Sequence, residues 1–144
     1  MGAPSEASNN NLGKAADFDD FLAMNQENML TLTLSEYLMM LLKQKELKRA
    51  DVVRYSGLEK AYVYQIFDGE KKPSRDKLIA LAFGLHLNKE ETQRMLKLGR
   101  CSELYPRIER DALILFNIHH GKSINETDDE LYERGLDTLL SRDD

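Results

Sequence analysis

The sequence predicts an all-α fold, and three observations carry that prediction. Two capping-box patterns, Thr33 with Glu36 and Thr127 with Glu130, mark helix starts. Apolar residues recur at helical spacing from Thr33 to the end of the chain. No segment sustains the period-two alternation of a half-buried strand. The 144 residues suffice for one ordinary domain with tails or a small appendage, and no internal repeat divides them.

Taken in order, Met1 to Ala16 is small and polar and predicts a disordered tail, because it has almost nothing to bury. Asp17 to Asn28 carries Phe18, Phe21 and Leu22 at i, i+3 and i+4, the pattern of a short docking helix. After the Thr33 cap, Leu34, Tyr37, Leu38, Leu41 and Leu42 form an apolar stripe up to about Lys45. A short helix from Lys48 to Tyr55 stops before Gly57, and another runs from Glu59 to Phe67 and stops at Asp68-Gly69. Ser74 is a fitting N-cap for a helix from Arg75 to Leu85, with Leu78, Leu81, Ala82 and Leu85 on one face. A further helix spans Lys89 to Leu98, with Met95 and Leu98 inward. Pro106 to His119, closed by Gly121, and Thr127 to Leu140 complete the set. The expected organisation is a tail over 1–16, a helical domain over 17–100 and a helical extension over 101–144.

Composition narrows the function. Apolar residues make up 42% and charged residues 31%, too polar for a membrane protein, and the longest apolar run, Tyr37 to Leu42, is far short of a span. The segment Met1 to Lys14 lacks a basic stretch followed by an apolar one, and Cys101 is the only cysteine, so a reducing, cytoplasmic setting is expected. The net charge of −5 argues against a nucleic-acid binder until its distribution is considered. Leu47 to Lys77 holds eight basic residues and five acidic ones, a local +3, while the remainder of the chain is −8.

That basic segment also holds the one informative motif. Two short helices meet at a tight glycine turn, and the second is amphipathic, which is the pattern of a helix-turn-helix unit. Val52, Val53, Leu58, Val63 and Ile66 fall where such a unit needs apolar side chains. Gly57, Val63, Ile66, Gly69 and Pro73, in that order and spacing, resemble the phage-repressor-type (Xre/Cro) helix-turn-helix family. The match covers Leu32 to Leu98. It implies a five-helix repressor-like domain, here followed by a C-terminal two-helix extension.

The resemblance also implies roles by position. Arg49 stands at the start of the first motif helix, near a phosphate of double-stranded DNA. The second motif helix, Glu59 to Phe67, enters the major groove with Glu59, Lys60 and Ala61 in its first turn and Tyr64 and Gln65 one turn later. Lys60 suits guanine O6 or N7, Gln65 suits adenine, and Glu59 suits cytosine N4. Lys71, Lys72 and Arg75 flank the backbone as phosphate contacts. The chain departs from the family pattern at Glu59, an acidic residue at the helix start, and at Val53, where a small alanine is usual. It departs again at Phe67, in a commonly acidic position, and at the bulky Tyr62 and Tyr64.

Other residues read as structural. His119 and His120 beside Gly121 suit a helix end, since neighbours on a helix point about 100° apart and chelate poorly. His86 also sits at a helix end. Glu126 to Glu130 lacks the glycine and spacing of a calcium loop, and Cys101 has no basic or histidine neighbour that marks a nucleophile. No phosphate-binding glycine loop or nucleophile elbow occurs, so neither an enzyme nor a cofactor or metal is expected. The expectation is a DNA-binding transcriptional regulator, a repressor acting as a homodimer, with the C-terminal helices serving dimerisation, sensing or a protein partner. The alternative is a protein-binding adaptor on the same fold, using Tyr62, Tyr64 and Phe67.

Overall fold

Seven helices follow one another from Leu34 onward, and no strand occurs among the described residues. The computed structural model describes Gly13 and residues 16–20 and 32–141. Residues up to Leu32 form a unit apart from the rest. Within it, residues 18–20 are helical, and the Asp20 amide donates to Asp17 Oδ1 at 2.8 Å. The rest of the expected helix over 17–28, and nearly all of the expected tail over 1–16, lie outside the described residues.

Helix α1, Leu34–Gln44, begins where the capping box places it. The Glu36 amide donates to Thr33 Oγ1 at 3.1 Å, and the Thr33 amide donates to Glu36 Oε1 at 2.9 Å. Its buried face is Tyr37, Leu38, Leu41 and Leu42. Helix α2, Arg49–Ser56, starts with the Lys48 amide bonded to Asp51 Oδ2 at 2.9 Å. It ends at Gly57, whose φ of 72° is the left-handed conformation that a side chain disfavours. Helix α3, Lys60–Phe67, follows after three residues and buries Val63, Ile66 and Phe67.

Helix α4, Arg75–Gly84, is the centre of the body. Every residue from Leu78 to Gly84 is buried, because α2 covers one side and α5, Lys89–Leu98, another. Full burial of a leucine or isoleucine contributes roughly 1.5–3 kcal/mol, and Leu78, Ile79 and Leu81 are all fully buried along α4. A further capping box, Asn88 with Glu91, starts α5. Val52 is fully buried, whereas Val53 is half-exposed, so the departure at Val53 does not wedge the helices apart.

The last two helices differ from expectation at their ends. Helix α6, Glu109–His119, starts three residues after Pro106. Helix α7 is Ile124–Glu133, capped by Ser123 with Glu126 rather than by Thr127 with Glu130. Thr127 is buried: its hydroxyl donates to the Ser123 carbonyl at 2.9 Å and accepts from Asn117 Nδ2 at 3.0 Å. The chain leaves the helix at Gly135, and Leu136 to Leu140 runs as a non-helical strap. Buried Asp128 holds that strap by accepting from the amides of Leu139 (2.6 Å) and Leu140 (3.0 Å).

The extension is part of the same body as α1 to α5, since residues from Thr33 onward form one unit. The Gln93 side-chain amide exchanges two 2.8 Å hydrogen bonds with the Leu104 backbone. Arg110 reaches Asp76 at the start of α4 with two bonds of 3.0 and 3.1 Å. A leucine of the strap, Leu140, lies over the glycine turn: a Cβ on Gly57 would stand 2.6 Å from Leu140 Cδ1. The expected boundary at 100/101 is therefore not a gap between packing units.

Candidate nucleic-acid interface

The unit α2–turn–α3 places its side chains by simple burial. Val63, Ile66 and Phe67 fix one face of α3 inward, so Lys60 and Ala61 in the first turn stand exposed and Tyr64 and Gln65 half-exposed. Glu59 occupies the N-cap position, exposed, with no side-chain capping bond. The first turn of α3 also lacks an acidic residue.

Three of the expected residues come together. The Arg49 guanidinium lies 4.5 Å from the centre of the Tyr64 ring, and Lys60 Nζ lies 5.6 Å from the same ring. Arg49 also donates to Asp68 Oδ1 at 3.1 Å, so its planar group is held against the C-terminal half of α3 while keeping donors for another acceptor. A cation above an exposed aromatic ring is worth roughly 0.5–1 kcal/mol, enough to bias a side-chain orientation. Lys71 and Lys72 are exposed in the loop after α3. The loop itself turns back onto the helix, with the Glu70 and Lys71 amides donating to the Gln65 carbonyl at 2.8 and 3.3 Å.

Arg75 does not belong to this surface. Its Nε donates to the Ser102 carbonyl at 2.9 Å and its Nη2 to the Glu103 carbonyl at 2.8 Å. The same guanidinium forms a two-pronged pair with Asp111, at 2.9 and 3.3 Å. Asp111 is 2% exposed and also accepts from the Tyr105 amide, so it needs a positive partner. The assignment of Arg75 as a phosphate contact is therefore corrected: it ties the extension to the start of α4.

The tyrosines divide. Tyr62 is half-buried and turns toward α4, where Lys77 Nζ lies 5.7 Å from its ring. Burial raises its hydroxyl above the ordinary tyrosine range, partly offset by a hydrogen bond with the Ser74 backbone. Phe67 is 2% exposed and lies in the core. Sequence reasoning missed Arg100, which the fold brings to the same groove as Lys71 and Lys72. Among the described residues no cluster of His, Cys, Asp or Glu converges on a metal position, and no helix is long and apolar enough to cross a membrane. No family model, no curated protein and no solved structure matches the chain.

Proposed function

We propose that this chain is a sequence-specific DNA-binding transcriptional regulator of the repressor-like helix-turn-helix type, acting in the cytoplasm as a homodimer. The observation that carries the reading is the exposed first turn of α3 set beside Arg49, Tyr64 and Lys60. An α-helix is about 10–12 Å across and fits the major groove, where the residues of its first turn meet base edges. Lys60 then serves guanine, Gln65 adenine, and Glu59 the N4 amine of cytosine. Arg49, Lys71 and Lys72 take phosphates and set the register.

One such helix reads only a few base pairs, so two copies on half-sites about 34 Å apart complete the recognition. The exposed Phe116 beside Leu113 on α6 gives a second copy an apolar surface to cover. The adaptor reading draws less support. It relies on Tyr62, Tyr64 and Phe67, of which Phe67 is buried and Tyr62 half-buried against α4.

The experiment is a salt titration of binding to random duplexes and to duplexes from the DNA flanking the gene. A log–log salt slope of several units with a preference among sequences supports the proposal. Absence of binding to any duplex at low salt refutes it.

A further inference from the structure

A groove of about 500 Å³ opens beside the C-terminal end of α3, and its cations come from two distant parts of the chain. Lys71 and Lys72 line it from the loop after α3, and Arg100 lines it from the end of α5. Ser35 on α1, Gly69 and Gly99 complete the nearby wall. Two carboxylates also border it. Asp68 is already met by Arg49, which leaves Glu70 as the one acidic side chain there without an ion pair among the described residues. No ion pair among the described residues engages Lys71, Lys72 or Arg100. The start of α1 faces the groove too, but Glu36 in its capping box already offsets that dipole, so the cations supply the attraction.

Arg100 occupies its place against a conformational preference. Its φ is 57°, the left-handed position after a helix that glycine usually fills. The Arg100 amide bonds the Lys97 carbonyl at 3.0 Å and the Cys101 amide the Leu96 carbonyl at 2.8 Å, the paired closure of such an end. The neighbouring glycine is fixed elsewhere: a Cβ on Gly99 would stand 2.4 Å from Leu78 Cδ1 in the core. Glu46 and His86 sit in the same conformation at other helix ends, so the strain alone assigns no role. The groove distinguishes Arg100 from those two.

We infer that this groove carries the sugar-phosphate backbone of the DNA strand leaving α3, with Arg100 as a phosphate contact beside Lys71 and Lys72. The inference rests on the DNA-binding reading and extends its footprint from the α2–α3 unit to the end of α5. The groove is open and its cations are spread over two segments, which suits successive phosphates along a strand better than one enclosed anion.

The test compares the full chain with Arg100→Gly, Arg100→Lys and Lys89→Ala in a salt-titrated duplex-binding assay, alongside thermal melts. Lys89 is exposed at the opposite end of α5, about 15 Å away, and serves as the control cation. Arg100→Gly relieves the left-handed strain, so its melting temperature should equal or exceed the parent's. Its affinity should still fall by about eightfold at 0.1 M salt on every duplex, with the salt slope reduced by about 0.9. Arg100→Lys should restore most of the affinity, and Lys89→Ala should bind as the parent does. Inorganic phosphate added at constant ionic strength should not displace the duplex. If the parent binds DNA while Arg100→Gly behaves like Lys89→Ala, the groove assignment is overturned and the DNA-binding proposal stands. Displacement by inorganic phosphate likewise overturns the backbone assignment in favour of a free-anion site. A parent that binds no duplex at low salt overturns both.

Discussion

Replacing Arg75 with alanine separates a structural role from a DNA-binding one. The side chain makes four hydrogen bonds to the extension: two to backbone carbonyls and two to Asp111. Its removal leaves a carboxylate that is 2% exposed, with the Tyr105 amide as its one remaining hydrogen-bond partner among the described residues. Breaking a buried ion pair by deleting one partner costs about 3–5 kcal/mol. The arginine is 25% exposed, and water can reach the vacated site, so about 2–4 kcal/mol is the working figure. For a body of this size each kcal/mol lowers the melting temperature by roughly 3–6 °C, which predicts a fall on the order of 10 °C. Calorimetry measures it. Arg75→Met with Asp111→Leu removes both charges at once and should lose less than the two single changes together. Well below its melting temperature, Arg75→Ala should bind duplex DNA with the parent's salt slope. A variant that melts like the parent and loses about one unit of slope would show that the guanidinium serves a phosphate and that its pairing with Asp111 is incidental.

Three further outcomes follow from named contacts. Lys60→Ala and Gln65→Ala should each cost about 1–3 kcal/mol on the preferred site and relax base preference there, measured by competition among single-base variants of that duplex. Gel filtration with light scattering should find dimers at micromolar concentration, and Phe116→Glu should convert them to monomers without loss of helicity; a monomeric parent contradicts the homodimer. Glu36 and Glu126 are both held below the ordinary carboxylate range, chiefly by the backbone amides of Thr33 and Ser123. Their ionised forms are therefore favoured in the fold, so their stabilisation is complete above about pH 4.5 and fades as pH falls further. Glu36→Gln should accordingly flatten the acid limb of a stability–pH curve.

The helix pattern was legible because each element from α1 to α5 is closed by local signals. Thr33 with Glu36, Gly57 and Gly69 act within a few residues, and the apolar stripe at Leu38 and Leu41 needs no knowledge of its partner. The start of α7 was not legible, because two overlapping patterns satisfy the same capping rule: Ser123 with Glu126, and Thr127 with Glu130. Packing decides between them. Beginning at Ile124 turns Ile124, Thr127, Asp128 and Leu131 inward, where Asn117 and the Leu136 to Leu140 strap require polar partners. Arg75 failed for a related reason. Its carboxylate partner lies 36 residues away, and no local pattern marks that pairing.

The charge argument changes form once these pairings are known. The basic segment Leu47 to Lys77 loses three of its eight cations to ion pairs, Arg49 with Asp68, Arg54 with Asp51 and Arg75 with Asp111. Its carboxylates are reduced as well, since Asp51 and Asp68 are paired within the segment and Asp76 is met by Arg110 from the extension. Among the described residues, what stays without an ion pair is five lysines, Lys48, Lys60, Lys71, Lys72 and Lys77, against Glu59 and Glu70. The surplus of +3 seen in the linear sequence thus survives folding, but it shifts from arginines to lysines. Lysine is a compact, flexible point charge that suits phosphate without demanding one geometry. Arg49, the one arginine of this segment kept beside α3, is oriented by Tyr64 and Asp68 before any partner arrives. A surface of mobile lysines around one fixed arginine favours backbone attraction first and register second. Under the proposed DNA-binding function, sequence preference rests on the first turn of α3, Glu59, Lys60 and Ala61, with Gln65 behind it.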